Sequence, residues 1–265
     1  MTRPLLVAVV LALLSGGVAA AGGPTVENQR ERARDWKRAF ASAERYARAR
    51  DGRVSVALID DTGVLRRHRS ARRYPSASVV KAMLLVSYLN HVRDRRLTSG
   101  DRALLRPMIV RSDNGSASSV LGIVGHEGLH RVARRAGMKR FATLPGWGNT
   151  QVTAADQARL FLRIDRLVTQ RHRAYARDLL RGIVERQRWG VPHALADDAP
   201  IFFKGGWRSA PSGWITHQAA LVEEGWRRVS IAVLTDRNPT REYGRRTLRG
   251  VAERALLPLL RDDGA

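Results

Sequence analysis

The sequence predicts an α/β fold of the α+β kind, a mostly antiparallel sheet built from both chain ends and flanked by helices. Three observations carry that expectation. Apolar runs rich in β-branched residues occur near residues 54–68 and again at 201–236. Between them, residues 78–195 show helical periodicity, punctuated by glycines and short polar loops. Charged helical segments lie outside the strands at both ends. The simplest packing sets the terminal helices on one sheet face and gathers the central helices into an all-helical lobe. A cleft then runs between the lobes, a usual place for a ligand site.

The elements follow in order. Arg3 provides a positive start, residues 5–14 an apolar run, and Ala19-Ala20-Ala21 a small-residue cleavage site, so residues 1–21 read as a signal peptide. The apolar run falls short of the ~20 residues a membrane span needs. The expectation is an exported protein, secreted or held in the cell envelope, with no stable membrane span after processing. Residues 22–265 form one domain, with a sheet lobe at about 27–77 and 201–265 and a helical lobe at about 78–200. Within it, residues 27–50 read as a helix, 54–60 as a strand, and Thr62-Gly63 as a turn into a strand ending at His68. Strands return at 201–204, 214–223 and 228–236, and a helix at 241–260 closes the chain.

Composition excludes several functions. There is no cysteine, hence no disulfide scaffold, thiolate metal site or cysteine nucleophile. The formal net charge is +23, from 47 Lys and Arg against 24 Asp and Glu. Arginines are spread through nearly every segment, without an aromatic-interleaved groove or zinc-finger spacing, so no specific nucleic-acid partner is expected. In an exported protein this charge favours association with anionic cell-envelope polymers. Only four lysines occur: Lys37, Lys81, Lys139 and Lys204. Arginine cannot lose its proton in a protein and lysine can, so a retained lysine marks a place where a titratable amine is useful.

Two of those lysines fall in motifs. Ser78-Val79-Val80-Lys81 is an S-x-x-K sequence at the start of an apolar helical run. Positions i and i+3 share a helix face, so a lysine amine there can activate a serine hydroxyl. The plain alternative is a helix N-cap beside a solvated lysine. Ser112-Asp113-Asn114 opens a further helix and offers a hydroxyl and a carboxamide, although all three residue types also favour N-caps. Lys204-Gly205-Gly206-Trp207 puts a lysine at a strand end, with glycines that let a substrate backbone approach. A strand end with a solvated lysine is the plain alternative.

Taken together and in this order, the three motifs resemble the signature of class A β-lactamases and penicillin-binding proteins. The stretch 73–85 is similar to that family's active-serine helix, and the resemblance continues through 112–121, through Ala136-Gly137-Met138, and from Lys204 to the final helix. It implies the β-lactamase/D,D-peptidase fold and a monomer acting on a β-lactam or a peptidoglycan-type peptide, with no cofactor and no metal. It also implies roles. Ser78 is the nucleophile, Lys81 its base or base partner, and Ser112 the proton shuttle to the leaving nitrogen. Asn114 holds a substrate amide and Lys204 a carboxylate, with Gly206 and Arg208 lining the same site. The N–H groups of Ser78 and Trp207 form the oxyanion hole. Hence an exported serine hydrolase is expected, or alternatively a penicillin-recognising fold that binds without turnover.

Three departures from that family matter. Ser78 and Ser112 are only 34 positions apart, so an element bordering the cleft is expected to be missing. Gly205 stands where the family has a hydroxyl, and Arg208 is expected to compensate. No glutamate lies between Gly128 and Val184, where the family places the base that activates the deacylating water. Asp156 is the nearest carboxylate, but Thr153-Ala154-Ala155-Asp156 reads as a helix start with both ends capping. Separately, His126-Glu127-Gly128-Leu129-His130 matches H-E-x-x-H, a zinc pattern. Gly125 and Gly128 and the want of a third ligand make a coincidence the expected reading.

Overall fold

The computed structural model describes residues 26–196 and 198–260; the expected signal peptide lies outside them. Helix α1 (Val26–Arg48) precedes strand β1 (Arg53–Ile59) and strand β2 (Leu65–His68). Late in the chain come β5 (Ile201–Ala210), β6 (Gly213–Glu224) and β7 (Arg227–Asn238). All pairings are antiparallel and the order is β2-β1-β7-β6-β5, so β5 is an edge strand. The two chain ends meet where β1 pairs with β7, Arg53 opposite Asp236. Helices α7 (Arg241–Ala255) and α8 (Leu257–Leu260) close the described chain as two pieces, where the sequence reads as one.

Both faces of the sheet are buried, each by a different lobe. Val54, Val56 and Leu58 of β1 join Ile201 and Phe203 of β5 in the core beneath α1 and α7. Ala57, Ile59 and Phe202 point the other way, into the core of the helical lobe. Strand alternation produces this split, because successive side chains leave on opposite faces. It also explains why these strands are apolar along nearly their whole length.

The helical lobe is centred on α2 (Lys81–His91), in which every residue from Lys81 to Leu89 is buried. Around it pack α3 (Ser99–Val110), α4 (Asn114–Ala136), α5 (Ala154–Leu167) and α6 (Gln170–Arg181). A helix apolar on all sides must be surrounded, and α2 is. A single helix, α3, fills the short interval between α2 and Ser112. Helix α4 breaks at Gly125, whose φ of 65° and ψ of 175° are not helical. Gly128 follows because a Cβ there would lie 2.4 Å from Ser87 Oγ on α2.

Three details differ from the sequence reading. Strand β5 does not end at Lys204 but runs on through both glycines to Ala210. A small second sheet pairs β3 (Tyr74–Pro75) with β4 (Gln151–Val152), the latter inside the region read as all helical. Thr153 caps α5 as expected, but the Asp156 carboxylate reaches across to Lys139 N and Arg140 N at 2.8 and 2.9 Å.

His217 of β6 ties β3 to the main sheet. Its Nε2 donates to Pro75 O (3.0 Å) and its Nδ1 accepts from Thr235 N–H (3.1 Å). Burial lowers its pKa to about 4, so the ring stays neutral. Removing it leaves a buried donor and a buried acceptor unpaired, each costing about 1–3 kcal/mol. His217→Leu is therefore expected to lower stability by about 2–4 kcal/mol in urea unfolding. The unfolded histidine binds a proton near its ordinary pKa of 6.5 and the folded one only near 4. Its contribution is thus complete above pH 6.5 and is lost as pH falls toward 4, so the variant should show a flatter stability profile there.

Candidate active site

The segment carrying Ser78 is a 3-10 turn (Ala77–Val80) that runs directly into α2. Ala77 has a φ of 45°, a left-handed conformation that an alanine adopts at a cost. Buried Ser76 holds it there. Ser76 Oγ donates to Ala77 O at 3.1 Å and Trp147 O at 3.2 Å, while Ser76 N–H donates to Thr150 O at 2.8 Å. Ser78 is half-buried within that turn.

Lys81 begins the α-helix proper and is fully buried. Its Nζ donates to Ser112 O (2.5 Å), Ser112 Oγ (3.2 Å) and Asn114 Oδ1 (2.8 Å). The i, i+3 relation to Ser78 is present, yet the ammonium is held by the facing Ser112 and Asn114. Ser112 has a φ of 60°, a second strained non-glycine, and this turn brings its carbonyl back onto Lys81. Asp113 does not enter the cleft. It caps α4 through Ser116 N–H (2.7 Å).

Lys204 arrives from the opposite lobe, also fully buried. Its Nζ donates to Ser112 Oγ (3.1 Å) and Gly205 O (2.9 Å). One hydroxyl therefore lies within hydrogen-bond distance of two lysine amines. Burial brings the Lys81 pKa down to about 8, with the Asp113 charge opposing the shift. Lys204 is pushed well below its ordinary value, by burial first and by the Lys81 charge second.

The rest of β5 completes the wall. A Cβ on Gly206 would lie 2.7 Å from Ser78 N, 2.9 Å from Val79 N and 3.2 Å from Ser76 O. The strand edge therefore rests directly on the start of the active-serine turn, and Trp207 N–H follows one residue on. The Trp207 side chain goes to the far face, edge-on to Trp189 with centroids 5.7 Å apart. Arg208 returns to the cleft face, where its Nη1 donates to Asn149 Oδ1 at 2.8 Å.

A scan of protein-family models matches residues 101–257 to the Beta-lactamase enzyme family. The chain belongs to that family. The match includes Ser112, Asn114 and the Lys204–Arg208 stretch and begins after Ser78 and Lys81. No curated protein matches the sequence significantly. Among solved structures, a β-lactamase from Sphaerobacter thermophilus superposes with a TM-score of 0.72 at 18% identity, covering 84% of this chain and 97% of its own. A β-lactamase from Xanthomonas campestris pv. campestris gives 0.72 at 19%, covering 86% and 99%. The protein PBP-A gives 0.70 at 16%, covering 83% and 94%. At these identities the likeness is one of fold, and it agrees with the antiparallel sheet and flanking helices described above.

Against the β-lactamase pattern, the missing hydroxyl after Lys204 has a local cause. A Cβ on Gly205 would meet the Trp189 ring at 3.3 Å, so the indole fills the room a side chain would take. The H-E-x-x-H residues are scattered in role: Glu127 pairs with Arg134, and His130 contacts Thr143 and Phe141. No group of three or more metal-ligating side chains is found among the described residues. Asp156 is spent on two backbone N–H groups and Arg159.

Sequence reasoning missed Trp147 and His217. Trp147 stands in a 3-10 turn (Trp147–Asn149) and lays its ring over Lys81, with Nζ 4.6 Å from the centroid. A lone aromatic in a loop gives no periodic signal, and a histidine inside a strand reads as an ordinary core residue.

The tight approach at Gly206 yields a direct test. Gly206→Ala forces a methyl against backbone, where nothing flexible can give way. For the β-lactam acylation of Ser78 proposed below, the rate is expected to fall at least about 10²-fold, the scale of losing one oxyanion donor. Rates within threefold of wild type in a mass-spectrometric time course would show that the Ser78 turn accommodates the methyl.

Proposed function

We propose that this protein is an exported serine hydrolase that opens β-lactam or D-Ala-D-Ala-like amides through a Ser78 acyl-enzyme, with slow deacylation. The observation that carries the reading is the Ser112 hydroxyl bonded to both buried lysines, with Ser78 one turn from Lys81. Ser78 Oγ attacks the amide carbonyl and passes its proton to the neutral Lys81 amine. The Ser78 and Trp207 N–H groups receive the developing oxyanion. As the C–N bond breaks, Ser112 gives its proton to the leaving nitrogen and is resupplied by Lys81. The proton that left Ser78 thus ends on the amine product. Lys204, with Arg208 beside it, pairs the substrate carboxylate, and Asn114 offers its amide to the substrate side chain.

Binding without turnover is the second reading. The lack of any glutamate between Gly128 and Val184 favours it, since water then lacks the carboxylate base the family places there. The mature domain is read as a monomer. Export rests on the N-terminal segment, and association with anionic envelope polymers on the +23 charge. No helix among the described residues is long and apolar enough to cross a membrane.

Three measurements test the reading. Intact mass spectrometry after incubation with a penicillin should give an adduct that maps to the Ser78 peptide and vanishes in Ser78→Ala, while chelators leave it unchanged. Lys81→Arg should slow acylation by about 10²–10⁴-fold, because a guanidinium keeps charge but cannot accept a proton. Since Lys81 must be neutral to act, acylation should rise with pH, with a midpoint near about 8. A flat profile from pH 6 to 9 would assign the base to another group.

A further inference from the structure

The Trp147 indole covers the Lys81 ammonium, and the loop that carries it is stitched on every side. Trp147 Nε1 donates to Ser118 Oγ of α4 at 3.2 Å, and Trp147 O accepts from Ser76 Oγ next to the active-serine turn. Pro75, three residues before Ser78, pairs with Gln151, four after Trp147. Asn149 holds Arg208 of β5. The loop therefore crosses from one lobe's edge to the other directly over the base. Lys81 Nζ also donates to Ser112 O, Ser112 Oγ and Asn114 Oδ1, and the residue has no exposed surface.

We propose that Trp147 is a positioning and water-excluding residue, one that presses Lys81 onto Ser112 and Asn114 and covers the Ser78 ester on the lysine side. The proposal rests on the acyl-enzyme reading and adds a cause to it. Hydrolysis of that ester needs a water whose oxygen adds to the acyl carbon and whose proton goes to a base, with Ser78 leaving as the alcohol. Lys81, close to Ser78 and with a lowered pKa, is a chemically adequate base. With its ring centroid 4.6 Å from Lys81 Nζ, the Trp147 indole takes one side from which a water would have to reach that base. A bare ring face still stabilises a nearby cation, so the cover does not expel the lysine. The acyl-enzyme is thus long-lived because of a side chain that is present, beyond the want of a glutamate.

Two readouts test this, using full-length mature protein. In the first, wild type, Trp147→Phe and Trp147→Ala are acylated with benzylpenicillin, freed of excess drug, and followed by intact mass. The Ala variant should lose its Ser78 adduct at least ~10-fold faster than wild type. The Phe variant keeps an aromatic face and should stay within about threefold. Equal decay in all three would overturn water exclusion while leaving the acyl-enzyme standing. No adduct in wild type would overturn the acyl-enzyme reading and water exclusion with it. The second readout needs no substrate. With four lysines in the chain, 13Cε-lysine NMR resolves Lys81, assigned with Lys81→Arg. The Lys81 resonance should carry a ring-current shift that is retained in Phe and lost in Ala, and its titration midpoint should rise in Ala as water reaches it. A Lys81 signal indifferent to Trp147→Ala would overturn the positioning role, and matching melting temperatures would show that both variants are folded.

Discussion

Two lysine amines, each on a fully buried side chain, converge on one serine hydroxyl, and the surrounding architecture answers to that crowding. Burying a single unpaired ammonium is costly, and burying two within reach of the same oxygen is worse. Neither Lys81 nor Lys204 has an ion-pair partner among the described residues, and the carboxylate acting on Lys81, Asp113, is already committed to capping α4. The crowding is relieved by losing a proton or by admitting an anion. Both outcomes are what the proposed acylation of a carboxylate-bearing amide would ask for: a neutral amine beside Ser78 and a cation where the carboxylate would land. The depressed pKa of each lysine and the site's chemistry are therefore one fact seen twice.

Such a cluster relaxes unless the backbone forbids it. Two of the four non-glycine residues with left-handed φ among the described residues, Ala77 and Ser112, flank it from either side. Each such conformation costs of order 1–3 kcal/mol and persists only where packing over-determines it. Ser76 holds Ala77 through three hydrogen bonds, and Ser112 is drawn onto Lys81 by its own carbonyl. Gly206 lets β5 lean on Ser78 N, and His217 anchors Pro75 to the sheet. The sheet fixes Lys204, the helical lobe fixes Lys81, and Ser112 joins the two. Each lobe supplies one amine, so the cleft exists only when both cores are formed.

The outline of this arrangement is legible in the sequence because it is periodic or punctuated. Apolar runs at 201–236 and helical spacing after Ser78 report burial, and burial is what sequence pattern encodes. The three motifs report chemistry because serine and lysine at i, i+3 have few structural reasons to recur inside an apolar run. What escapes is everything fixed by contact between distant segments. Tyr74–Pro75 is too short to read as a strand, and its partners lie far along the chain, Tyr74 opposite Val152 and Pro75 opposite Gln151. Gly205 and Gly206 read as a strand end, yet an edge strand packed on a neighbouring turn tolerates them. Trp147 is a single residue in a polar loop, and only the folded chain places its ring over Lys81.

The arginine background sharpens what the two buried lysines mean. In a chain with 47 basic residues and four lysines, nearly every exposed cation is arginine, so charge alone gives no reason for lysine at 81 or 204. A guanidinium at 81 would stay charged under the Trp147 ring and offer no lone pair to Ser78. At 204 its planar fork would need several acceptors, where Ser112 Oγ and Gly205 O are what the compact Lys204 ammonium meets. Lysine persists where a cation must be compact or must be able to stop being one. The same logic separates the two halves of the reaction. In the mechanism proposed above, acylation depends on Lys81 shedding its proton, and the proposed Trp147 cover is also what keeps hydrolytic water from the ester. On that proposal the site favours capture of the acyl group over its release.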